Sequence, residues 1–218
     1  MLQIDQTDSA LKSTHSKKIK IALVGAGMFG GDVHLRAYAD LQRFGIAGQL
    51  ARLGLDQHAR DFAPVNFELV AIATRSPASA QRTAVAFKEW TDATPKVYSG
   101  ETPWRNILRD FPDLDVMAVA TPDHLHTPVI LAALKAGAHV ITEKPMCLDI
   151  AEAVRTAELS QQQNRVVAVD MHKRYDPFVR QMMGNARENY GKINRVRAVL
   201  EEPLAVSTEI FAWAEKSN

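Results

Sequence analysis

Short β-branched apolar runs alternate along the chain with longer segments in which apolar residues recur every three or four positions. The first run, residues 19–24, predicts a buried strand leading straight into Gly25-Ala26-Gly27-Met28-Phe29-Gly30. A helix is expected from about Met28 through His34, Ala37 and Leu41. Residues 45–66 hold Gly45, Gly48, Gly54 and Pro64 among short apolar pieces and read as a partly helical insertion. Further strands are expected at residues 67–73, 96–98, 114–120, 139–142 and 165–169. Helices are expected at residues 76–90, 103–109, 123–135, 149–163 and 177–190, with Pro77 in a first turn and Gly137 and Gly191 as stops. Residues 193–200 read as one more strand. This alternation predicts an α/β fold, a doubly wound parallel sheet spanning residues 18–190. Residues 1–17 read as a disordered leader. Residues 191–218 read as the start of a second, truncated domain.

Composition narrows the function classes. Of 218 residues, 46% are apolar and 23% charged, as in ordinary globular proteins. A net charge of +1 gives no electrostatic case for nucleic acid or an acidic membrane. No apolar run is long enough to span a bilayer. The polar N-terminus lacks an apolar signal core, so a cytoplasmic protein is expected. Cys147 is the only cysteine, which excludes an intrachain disulfide and any multi-cysteine metal site. It has no evident base to make it a nucleophile. His124 and His126 lie two apart, a poor spacing for one helix face, so no metal is expected.

The glycine turn carries the first chemistry. Gly25 permits a tight turn, Gly27 a close backbone approach to a pyrophosphate, and Gly30 close helix–strand packing, as in a Rossmann dinucleotide site. The following helix offers its N–H groups to the phosphates. At the tip of the second strand an NAD site would place an acid on the ribose 2′-hydroxyl. Here stand Thr74-Arg75-Ser76, and an arginine beside a hydroxyl suits a 2′-phosphate. NADP is therefore expected, with NAD the alternative.

Three later strands also end in reactive groups: Thr121, Pro122, Asp123, His124 and His126; Glu143, Lys144 and Pro145; Asp170, His172, Lys173, Arg174 and Tyr175. Ligands of open parallel sheets bind beyond such carboxyl ends. Asp149 reads as a helix cap, and Met171, Met182 and Met183 as packing residues.

Together Gly25 to Gly30, Ala73-Thr74-Arg75-Ser76, Thr121-Pro122-Asp123-His124-Leu125-His126, Glu143-Lys144-Pro145 and Arg174-Tyr175-Asp176-Pro177 resemble the Gfo/Idh/MocA oxidoreductases. The Glu-Lys-Pro element is the specific part. The resemblance implies hydride transfer between a nicotinamide and a hydroxyl carbon of a sugar, inositol or related polyol. Cofactor contacts would come from Gly25, Gly27, Met28, Phe29, Gly30, Thr74, Arg75, Ser76, Thr121, Pro122, His126, Glu143, Lys144, Pro145 and Arg174. His172, Arg174 and Tyr175 would face substrate. Lys144 would be catalytic, with burial moving its ammonium towards neutrality and a cis bond before Pro145 fixing its direction. The resemblance also implies a homo-oligomer built on a C-terminal substrate domain. That domain's Asp/His-bearing helix has no counterpart here, so a nucleotide-binding module without catalysis, or an inactive fragment, is the alternative.

Overall fold

The computed structural model describes residues 17–62, 65–197, 199 and 201. In chain order the elements are β1 (Lys17–Val24), α1 (Leu35–Arg52), α2 (Ala59–Phe62), β2 (Val65–Thr74), α3 (Pro77–Thr91), β3 (Lys96–Ser99), α4 (Pro103–Asp110), β4 (Val116–Val119), α5 (His126–Lys135), β5 (His139–Glu143), α6 (Ile150–Gln162), β6 (Val167–Asp170) and α7 (Pro177–Tyr190). The strands form one six-stranded sheet in the order β3-β2-β1-β4-β5-β6. Every pairing is parallel. This is the doubly wound α/β fold expected from the alternation.

Strand periodicity divides the core between the two faces of the sheet. On β1, Ala22 and Val24 join Trp104, Ile107, Met117, Ile130 and Leu134 on one side. Ile21 and Leu23 join Leu35, Tyr38, Ile72 and Phe87 on the other. Two helix starts are capped from the sequence. Ser76 precedes Pro77 and its hydroxyl accepts from Ser79 N–H at 3.5 Å. Asp149 accepts from Ala151 N–H at 2.7 Å, a cap worth about 1 kcal/mol.

Two expectations are corrected. Much of the region read as an insertion is a continuation of α1, which runs to Arg52 past a kink at Gly45. There φ is +62°, a value that suits glycine. Residues 193–197 form no strand, and residues 198 and 200 lie outside the described residues. The leader at residues 1–16 and most of the tail from Glu201 also lie outside them.

The chain divides into two compact units after Asp170, whereas the sequence reading placed a boundary at Gly191. In the second unit α7 is capped by Asp176, which accepts from Phe178 N–H at 2.9 Å. Its apolar residues Phe178 and Met182 are exposed. Among the described residues, no helix is long and apolar enough to cross a membrane.

Candidate functional site

Strand order reverses between β1 and β4, so the crevice beyond their carboxyl ends is where a ligand is expected. The chain leaves β1 into the glycine turn. Gly25 has φ +96°, and a Cβ there would lie 2.8 Å from Thr121 N and overlap the Ala120 carbonyl. A Cβ on Gly30 would overlap the Gly25 carbonyl oxygen and lie 2.9 Å from its carbon. Gly27 differs: nothing stands within 4 Å of a Cβ built there. Two glycines are thus required by packing, and the middle one faces open space.

Residues Gly30–His34 then form a π-helical turn, closed by Leu35 N–H donating to Gly30 O. Such turns recur at functional sites. Met28 and Phe29 beside the turn are exposed.

At the β2 tip the predicted trio separates. Thr74 is buried, and its hydroxyl donates to Ser76 O at 2.6 Å. Ser76 caps α3. Arg75 is exposed and forms no salt bridge among the described residues. Of the three, only Arg75 presents its whole polar group outward.

After β4, Pro122 is half-buried, and Thr121 has a buried hydroxyl oxygen without a hydrogen-bond partner among the described residues. His124 is exposed. His126 is fully buried, with Nδ1 2.7 Å from Pro145 O and Nε2 2.9 Å from Thr121 O. Both partners are carbonyl oxygens, which only accept, so the doubly protonated ring donates to both and a neutral ring to one. Expected from the sequence as a cofactor contact, His126 is placed by the structure in the interior, where it straps the loops after β4 and β5 together.

The bond between Lys144 and Pro145 is cis, as the resemblance implied. Lys144 is exposed, so the burial expected around its ammonium is not provided by this unit. Its Nζ stands 5.9 Å from the Phe29 ring centroid, within reach of a weak cation–π attraction. The β5 tip and the glycine turn therefore meet. His172, Arg174 and Tyr175 are exposed around one short turn of the second unit.

Sequence reasoning named Glu143 and Asp170 at the strand ends but missed His34 and Tyr38, which complete a largely buried cluster next to Lys144. Glu143 and Asp170 are ladder partners at the ends of β5 and β6, two carboxylates side by side. His34 reaches between them, its Nε2 2.9 Å from Glu143 Oε1 and 3.8 Å from Asp170 Oδ2. Tyr38, one helical turn on, meets His34 Nδ1 at 3.1 Å. Burial, helped by the charges of Asp170 and Glu143, pushes the Tyr38 phenol well up, so it keeps its proton. The arrangement consistent with both partners is Nε2–H donating to Glu143 while Nδ1 accepts from Tyr38 O–H. His34, Glu143 and Asp170 also have ligand atoms within 4.8 Å of one another, a grouping that no local spacing announces.

Burial pushes the Glu143 carboxyl up, but the hydrogen bond from His34, with Lys144 N–H and its ammonium, outweighs it and leaves the group below its ordinary value of 4.5. A depressed carboxyl contributes stability above its unfolded value and loses that contribution as pH falls through the folded one. Glu143→Gln should therefore unfold at a lower temperature than the parent, by a constant margin above about pH 5 that closes at more acid pH. Thermal scans across pH check this; a margin that persists in acid would assign the loss to packing instead.

These features fit a dinucleotide: open space at Gly27, an unpartnered Thr121 hydroxyl, and a helix N-terminus whose first N–H groups have no intrahelical acceptors. Fold and turn define a dinucleotide-binding protein. The chain belongs to the Gfo/Idh/MocA oxidoreductase family, whose NAD-binding Rossmann-fold profile matches residues 19–171. Levoglucosan dehydrogenase of Pseudarthrobacter phenanthrenivorans is 29% identical over 163 residues, covering 75% of this chain and 35% of that protein. Inositol 2-dehydrogenase of Salmonella typhimurium is 26% identical over 163 residues, covering 72% of this chain and 38% of that protein. A solved structure of levoglucosan dehydrogenase in complex with NADH and levoglucosan superposes with a TM-score of 0.60 at 27% identity, covering 82% of this chain and 41% of the other. The chain thus matches less than half the length of these relatives.

Proposed function

We propose that this chain is the cofactor-binding part of an NADP(H)-dependent oxidoreductase acting on a hydroxyl carbon of a sugar, inositol or related polyol. One observation carries the reading: the open face of Gly27 lies in the same turn as Phe29, over which the Lys144 ammonium stands. A phosphate site and a proton-handling group thereby share one crevice. The names of the relatives support the substrate class.

When bound, the nicotinamide supplies the hydride acceptor or donor. The chain's own part is to hold it. The glycine turn and the first turn of the helix would bind the pyrophosphate, and Arg75 would pair with a 2′-phosphate. The Lys144 ammonium would stabilise negative charge developing on the substrate's hydroxyl oxygen. The second unit would begin the substrate domain and the homo-oligomer interface.

Fluorescence titration of the full chain with NADPH and NADH tests this. NADPH should bind about 10-fold tighter or more, as a charge-assisted pair is worth, and Arg75→Ala should erase the difference. Equal or tighter NADH binding would sink the NADP preference, and binding of neither would sink the whole reading. The exposure of Lys144 favours a second reading, a nucleotide-binding module that does not turn over alone. A panel of polyols separates the two.

A further inference from the structure

We infer that His34 is a positioning residue that ties the glycine turn to the lysine at the β5 tip, and so holds the nicotinamide end of a bound dinucleotide. The inference rests on the cofactor reading above and adds a residue to it.

The connection is continuous. The π-turn that delivers His34 begins at Gly30, the last glycine of the phosphate turn. From there the imidazole crosses to the end of β5, where Nε2 meets Glu143 Oε1 at 2.9 Å. The other oxygen, Oε2, accepts from Lys144 N–H at 3.3 Å. One carboxylate thus joins the phosphate-turn helix to the backbone of Lys144. Tyr38 O–H and the second carboxylate, Asp170, fix the ring on its remaining sides.

The placement has an electrostatic reason. Glu143 and Asp170 are adjacent ladder residues, and at that spacing their negative charges repel. A hydrogen-bond donor between them relieves the repulsion. His34 is 4% exposed, so water does not substitute for it. Without the donor, Glu143 loses the partner that turns it towards the glycine turn, and the backbone N–H of Lys144 loses a fixed acceptor. The phosphate cradle at Gly27 is elsewhere on the turn and keeps its own geometry.

This separation makes the inference testable on the full chain by calorimetry with two probes. NADPH carries the nicotinamide, and 2′-phospho-ADP-ribose lacks only that ring. His34→Leu should weaken NADPH about 10-fold or more, as loss of a hydrogen bond to a buried charge does, while 2′-phospho-ADP-ribose stays within about 2-fold. His34→Gln, which keeps a donor near the Nε2 position, should recover most of the NADPH affinity. Tyr38→Phe is the milder variant should His34→Leu fail to fold; it frees Nδ1 and should weaken NADPH about 3-fold with the second probe unchanged. Equal losses for the two probes, or no loss, would overturn the inference and leave His34 a packing residue. A parent chain that binds neither probe would instead overturn the cofactor reading itself.

Discussion

Gly30→Ala is expected to abolish measurable cofactor binding, a loss of at least about 100-fold, and to destabilise the fold by about 1–3 kcal/mol. The added Cβ meets the Gly25 carbonyl, a backbone group that cannot rotate aside, and comes within 3.3 Å of Ala120 Cβ. The turn must open to admit it, which moves the helix start away from the end of β1. Gly27→Ala is the informative partner. Nothing stands within 4 Å of its new methyl, so the fold should be unaffected. The methyl would nevertheless occupy the space that a pyrophosphate needs. Thermal unfolding and NADPH titration of both variants give the pattern: Gly30→Ala loses stability and binding, Gly27→Ala loses binding alone. A Gly27→Ala chain that binds NADPH like the parent would show that no ligand uses that face.

His126→Leu should cost about 3 kcal/mol, because the buried ring that stands between two carbonyl oxygens is lost and at least one of them loses its donor. For a domain of this size that corresponds to an unfolding temperature lower by roughly 10 °C. The matching His124→Leu change, at an exposed position, should stay within about 0.5 kcal/mol. Denaturant melts of the two variants side by side decide it, and equal stability would mean that the strap between Thr121 and Pro145 carries no load.

Those two histidines show where sequence reading stops. Both follow Thr121-Pro122 at the start of a helical segment, and nothing in their spacing separates a solvent residue from a buried strap. The difference arises because the β5 loop passes over one and not the other. The strands and helices themselves were legible, since each carries a local period, a cap or a glycine stop. Gly45 misled for the same local reason: a glycine reads as an end, but here it bends a helix that then continues. The glycine turn and the tips of β4 and β5 were legible as groups gathered at one edge of the sheet. His34 was not, because its partner lies 109 residues away and meets it only through the sheet order. The available hint was a histidine and a tyrosine one turn apart, after a glycine turn and opposite two strand-end acids.

The π-turn between Gly30 and Leu35 has a further consequence. It is a one-residue surplus in the helix that leaves the phosphate turn. An ordinary helical bond spans four residues, and here the bond from Leu35 to Gly30 spans five. Both flanks are pinned, Gly30 by the β1 loop and Leu35 by the core. A codon lost from the exposed stretch around Asp32 could therefore be absorbed by ordinary winding, with each flank still in phase. What would not survive is the aim of His34. The turn behaves as a removable spacer whose length sets the direction of one side chain while the flanking scaffold stays in place.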